Sequence, residues 1–248
     1  MKKREKKRRK NRKNPLGKLL AFIGIIAGIF LIASTSYFNV QTFEVDGNSY
    51  YSDEEILIMG NCKSGGNIFW GIDLNDIEAR LEKDAYMANV KVKRVLPDGI
   101  RIELEERTQI AAVVYGQHYV VIDKDGRILR NTEVDPKVTQ VHGLTISKLE
   151  VGEIIEVEEK VKLRQTLEML SIMEANDMYF IDIEMTETGV DAYVLKNLVC
   201  QGSPQNIMEA VKSGNLQKVV AGLFDLKIER GTIEVSGGNY ISFSPELV

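Results

Sequence analysis

The chain has 248 residues, 44% of them hydrophobic and 27% charged, a balance that excludes a disordered or fibrous protein. Two cysteines exclude a disulfide-built scaffold. A formal net charge of −4 hides two opposed parts.

Residues 1–18 hold eleven Lys or Arg against the single acid Glu5, a net charge of +10. Of the 32 basic and 36 acidic residues in the whole chain, 21 and 35 then remain for residues 19–248, which carry −14. Residues 19–38 follow as twenty positions without an ionisable side chain, eleven of them Leu, Ile or Phe. At 1.5 Å per residue they cover about 30 Å, the thickness of a hydrocarbon core. The pattern predicts one membrane helix over residues 19–39 behind a cytoplasmic tail, 1–18, because short basic flanks stay inside. A cleaved signal peptide fits less well, since its apolar stretch is typically only about 7–15 residues long. Basic residues beside a span act as an orientation signal that also touches anionic headgroups, so the tail is not read as a nucleic-acid site. Gly24 and Gly28 form a GxxxG that another helix could approach.

Past the membrane the pattern reads strand, helix, helix, strand, strand. Phe43 and Val45 share a strand face before a Gly47-Asn48 turn. Ser52-Asp53-Glu54-Glu55 is a capping box that opens a helix. The loop through Gly65-Gly66 lacks the Lys-Ser/Thr ending of a phosphate cradle, and Ile68, Phe69 and Trp70 are expected to anchor it in the core. Asp73 caps a second helix with Leu74, Ile77 and Leu81 on one stripe. A hairpin follows, Val90, Val92 and Arg94 alternating with Lys91, Lys93 and Val95, then Pro97-Asp98-Gly99, then Ile100, Ile102 and Leu104 alternating with charge.

FNVQTFEVDGN from Phe38, the capped helix, and VKVKRVLPDGIRIELEER from Val90 together resemble the POTRA domain of the bacterial division proteins called FtsQ or DivIB. The pattern departs at Ala85 and Gln109, where that family has proline. The first unit is therefore expected over 40–108 and a β-rich second unit with inserted helices over 109–248, an α+β architecture throughout.

In the second unit, residues 111–115 and 118–123 flank a two-residue hairpin turn, Gly116-Gln117, and Lys124-Asp125-Gly126 turns the chain again. The order of a buried strand, an Asp123-x-x-Gly126 turn and a loop to Val141-His142-Gly143 is also similar to the family's second domain. Residues 135–153 read only as loop. A helix is expected over 158–176, then strands around Ile183, Val190 and Leu198, a helix opened by Ser203-Pro204, and another after Gly214. Residues 232–236 and 240–244 close the chain as a hairpin across Gly237-Gly238, with GTIEVS similar to the family's closing motif. Cys62 and Cys200 read as small buried thiols.

No catalytic constellation is legible. His118 and His142 lie outside any HExxH pattern, and GxSxG and SxxK are absent. No cofactor, metal or small-molecule substrate is expected, and the acids alternate with apolar residues as solvated faces do. A membrane-tethered wall hydrolase using a carboxylate pair, or a POTRA-type chaperone, are the competing readings. The resemblance implies a single-pass type II division protein at the septum, with outward domains that bind FtsB/DivIC-like and FtsL-like partners, largely through the last strand. Mapped here, that places Ile233, Val235, Tyr240, Ile241 and Phe243 in the partner contact, with Val92 and Arg94 as a lesser surface.

Overall fold

A computed structural model describes residues 15–238 and 240–246. Most of the basic tail, residues 1–14, lies outside the described residues. Helix α1, Pro15–Ala33, opens on a proline whose missing amide hydrogen is harmless in a first turn. It closes six residues before the end of the expected span, 19–39. The Ser34 and Thr35 hydroxyls donate to the carbonyls of Phe30 (2.8 Å) and Ile32 (2.7 Å), turning the chain into a short 3-10 segment, Ser36–Phe38. Its stretch Leu16–Ala33 has a mean hydropathy of 2.4, none of it buried by the rest of the protein, and is long and apolar enough to cross a membrane.

The first sheet contains β1, Thr42–Asp46; β2, Met87–Val95; and β3, Gly99–Glu106, in the order β1-β3-β2, with β1 parallel to β3 and β2 antiparallel to it. Helices α2, Asp53–Met59, and α3, Leu74–Leu81, connect β1 to β2. The capping box forms as the sequence predicts: Glu55 N donates to Ser52 Oγ, and Ser52 N donates to Glu55 Oε2. Gly47 sits at φ +95°, where any Cβ would fall 1.9 Å from the Leu104 carbonyl oxygen, so the D-G-N turn admits no other residue. The Glu106 carboxylate accepts from the backbone amides of Ser49 (2.7 Å), Tyr50 (2.5 Å) and Tyr51 (3.2 Å), pinning that turn to the end of β3. Val40, Ile56, Ile68, Ile77, Leu81, Val92, Ile100 and Ile102 fill the core between sheet and helices.

The loop after α2 corrects the sequence reading. Ile68 is fully buried, but Phe69 and Trp70 are 38% and 52% exposed. Three consecutive residues in a turn cannot all face one core, and only the first does.

The second unit is one nine-stranded sheet with helices on one face. Its elements in chain order are β4, Ala111–Tyr115; β5, His118–Ile122; β6, Ile128–Thr132; β7, Thr139–His142; the small pair β8, Ile146–Lys148, and β9, Glu156–Val157; α4, Lys160–Glu174; β10, Asp182–Met185; β11, Val190–Leu195; β12, Asn197–Gly202; α5, Pro204–Lys212; α6, Asn215–Asp225; β13, Arg230–Ser236; and β14, Tyr240–Ser244. The sheet runs β14-β13-β12-β11-β10-β7-β4-β5-β6. Where sequence reads only loop, β7 forms an interior strand of this sheet, parallel to both β4 and β10. Four residues with two inward positions, Thr139 and Val141, leave too short a periodic signal to recognise, and both partners are supplied from elsewhere in the chain. Leu163, Leu167, Leu170 and Met173 of α4, Ile207 and Val211 of α5, and Leu216, Val220 and Leu223 of α6 pack on Val113, Val141, Ile183, Ala192, Cys200 and Ile233. Each such fully buried aliphatic side chain contributes about 1.5–3 kcal/mol.

Cys62 packs on the first core and Cys200 lies inside the second; both thiols are free. Burial pushes Cys62 up to about 11 and Cys200 to about 12, so neither supplies a reactive thiolate near neutral pH.

The two units meet through a polar clasp. Asp123, 2% exposed at the end of β5, accepts from the amides of Asp125 (2.9 Å) and Arg127 (2.8 Å) and from Nη1 of Arg107 (3.0 Å), just past β3. Arg130 of β6 donates from Nε to the Tyr86 hydroxyl (3.0 Å), and Tyr86 in turn stacks on Tyr50 at 4.2 Å.

Candidate interaction surface

A β-sheet border is a row of amides and carbonyls that must be paired, covered or left to water. The β6 border is covered only at its start: Ile128 N donates to Glu153 O, Gly152 N to Ile128 O and Ile155 N to Gly126 O, each at 2.8 Å, so residues 152–155 run beside Gly126–Ile128. In the first sheet, the β2 border is blocked at its middle, where Val92 N donates to Glu78 Oε1 of α3 at 2.6 Å. The β1 border is occupied only ahead of the strand, where Val40 exchanges hydrogen bonds with Gly65 and Gly66.

Among the described residues, the β14 border is open along its whole length, as β1 is along Thr42–Asp46 and β6 is past Ile128. Its sole ladder partner is β13, paired antiparallel from Thr232↔Ser244 to Ser236↔Tyr240. Among the described residues, no backbone group outside this ladder reaches Tyr240–Ser244. The strand is therefore a five-residue edge with one unfilled margin.

The side chains named from sequence divide according to the pleat. Ile233 (0% exposed) and Val235 (3%) of β13 are core, and Ile241 and Phe243 of β14, paired with Val235 and Ile233, lie half-buried on the same face. Tyr240 faces the other way and is 66% exposed. In the first unit Val92 is buried, and Arg94 donates from Nε to the Ile68 carbonyl, bracing the loop that carries Phe69 and Trp70. What the last strand presents is thus mainly backbone, with Tyr240 as a flanking ring. The blocking role of Glu78 has no sequence signal, since an acid on a polar helix face looks solvated.

Gly231 sets how closely β14 lies against β13. It has φ +133°, and a Cβ there would meet the Ser244 carbonyl oxygen at 2.6 Å and the Phe243 ring at 2.7 Å. Glycine at the head of GTIEVS is what lets the final strand close on its neighbour.

Along β10, β11 and β13 the helix-free face of this sheet is acidic. By the strand pairings, Asp182 and Glu184 of β10, Asp191 of β11 and Glu234 of β13 share it. His142 Nε2 lies 3.1 Å from Asp182 Oδ1. Tyr193, between them, has its hydroxyl pKa raised by burial and by Glu184, Asp191 and Asp182.

Comparison with known proteins agrees with this architecture. Residues 38–107 match the family model described as POTRA domain, FtsQ-type. The chain is 26% identical to the cell division protein DivIB of Clostridium acetobutylicum over 84% of its own length and 83% of the relative's. It is 23% identical to DivIB of Bacillus subtilis, covering 85% of this chain and 77% of that one. To the cell division protein FtsQ of Syntrophotalea carbinolica it is 27% identical, over 72% of this chain and 63% of the relative.

Proposed function

We propose that this chain, which carries an FtsQ-type POTRA domain and is similar over most of its length to the division proteins DivIB and FtsQ, is a non-enzymatic scaffold of the bacterial division complex. Its basic tail, 1–18, lies in the cytoplasm, α1 crosses the membrane, and the units 40–108 and 109–248 stand outside at the septum. There it holds FtsB/DivIC-like and FtsL-like proteins and links them to septal peptidoglycan synthesis.

The observation that carries this reading is the unfilled margin of β14. An extended segment of a partner can lie beside it and continue the sheet as a tenth strand. Five residues expose two or three outward amide and carbonyl groups. At about 0.5–1.5 kcal/mol net per hydrogen bond, backbone pairing alone supplies only a few kcal/mol. Side-chain contacts around Tyr240 and with the half-buried Ile241 and Phe243 must add the rest.

A photo-crosslinking residue in place of Ser242 in dividing cells tests this. The expected result is a covalent adduct with a small coiled-coil division protein, and no such adduct from the same residue placed at Lys91 on the β2 border that Glu78 blocks. An adduct from Lys91 and none from Ser242 would refute the assignment of the edge.

A further inference from the structure

The aromatic loop at the head of the first unit lies where α1 ends. Asn67 Nδ2 donates to the carbonyl of Ala33 at 2.8 Å, filling one of the carbonyls that a helix terminus leaves open. The chain leaving the helix then pairs with the same loop: Ile68 N donates to Phe38 O (2.8 Å), Val40 N to Gly66 O (2.9 Å) and Gly65 N to Val40 O (2.8 Å). The helix exit and residues 65–68 are thereby joined as one piece.

Rings crowd that junction. Trp70 stacks on Phe30 with centroids 5.2 Å apart and planes at 23°; Phe69 lies 5.7 Å from Trp70 and 5.4 Å from Phe38; Tyr37 meets Phe38 edge-on at 5.1 Å. Yet Trp70, Phe69 and Tyr37 remain 52%, 38% and 65% exposed, so none of the described residues covers this cluster. What covers it follows from position. Phe30 is three residues inside the end of the apolar helix, about 5 Å below its terminus. A ring stacked on it reaches the boundary between acyl chains and headgroups, the layer where tryptophan and tyrosine are favoured because one edge is apolar and the other polar.

We propose that Phe69, Trp70 and Tyr37 form a seat that inserts into the outer headgroup layer of the bilayer and holds the first unit against the lipid surface. The seat rests on the reading of α1 as a membrane span. It gives the two outward aromatics, which Ile68 leaves outside the core, a partner of matching chemistry. With α1 and residues 65–68 joined by hydrogen bonds, it fixes the height and tilt of the three-stranded sheet above the membrane.

Trp70 is the only tryptophan in the chain, so its emission reports the seat without labelling. The full chain is reconstituted into phosphatidylcholine–phosphatidylglycerol vesicles that carry bromine either near the top of the acyl chains or near their methyl ends. Shallow bromines are expected to reduce Trp70 emission about twofold, with deep bromines and aqueous iodide each having a much smaller effect. A paired variant, Trp70→Phe with Tyr115→Trp, moves the reporter to an exposed hairpin of the second unit and is expected to respond to iodide alone. A chain that floats with the vesicles while Trp70 answers only to iodide, only to deep bromines, or to no quencher because another helix covers it, overturns the seat but leaves the span intact. A chain that fails to float overturns the span and the seat together.

Discussion

Replacing Asp123 with alanine lowers the stability of the second unit by about 3–5 kcal/mol, the cost of removing one partner from a buried ion pair. For a unit of this size the melting temperature falls by about 10 °C. The carboxylate is 2% exposed and holds three donors, two amides of its own turn and the Arg107 guanidinium. Alanine removes all three acceptor contacts and leaves Arg107, whose Nε is already buried without a partner, as an uncompensated charge. Asp123→Asn keeps an acceptor for the amides and loses only the ionic contact, so its loss is smaller. Thermal unfolding of the full chain in detergent, followed by circular dichroism, checks the order wild type, Asp123→Asn, Asp123→Ala. Equal melting temperatures for all three would show that the clasp between the units contributes nothing.

The second large effect is expected at Gly231. Gly231→Ala forces a side chain into a backbone conformation that costs about 1–3 kcal/mol. It also drives the new Cβ against the Ser244 carbonyl oxygen. The element free to yield is β14, whose only ladder partner is β13. The final strand is displaced or frayed while β13, paired also with β12, stays in place. Partner co-purification in mild detergent is expected to fall at least about tenfold, equivalent to about 1.4 kcal/mol of binding. Gly237→Ala, at a turn position with nothing within 4 Å of the added Cβ, leaves it unchanged. If both variants retain the partner equally, close packing of β14 on β13 is irrelevant to binding.

The legible parts of the sequence are those whose signal is local. The long apolar helix α1 declares itself by uninterrupted hydropathy, α2 by its capping box, and β2 and β3 by clean alternation about Pro97-Asp98-Gly99. The closing hairpin is equally plain. Illegible features depend on partners distant in the chain. β7 becomes an interior strand only because β4 and β10 flank it, and its four residues carry no period of their own. The order of the nine strands is likewise set by parallel pairings such as β12 with β13, across two intervening helices.

The surface residues divide in the same way. Alternation correctly puts Ile233 and Val235 on one face, yet periodicity cannot say which face is core, and both prove buried. Backbone edges are invisible to side-chain patterns, because any sequence carries the same amides. Whether a border is open depends on what lies beside it, such as Glu78 on β2 or residues 152–155 at the start of β6. Trp70 fails as a core prediction for a related reason: an aromatic next to a buried isoleucine reads as core until the end of α1 is placed against it.

Strand addition at β14 makes a direct prediction about its amide hydrogens. In the free full chain, the outward amides of Tyr240–Ser244 exchange with deuterium as fast as an exposed edge allows, while the Ile128 amide, held by the Glu153 carbonyl at the start of β6, exchanges slowly. With the partner bound, exchange at Tyr240–Ser244 slows at least about tenfold and that of the Ile128 amide does not change. Bound partner with undiminished exchange at β14, or slow exchange there before any partner is added, would contradict the account.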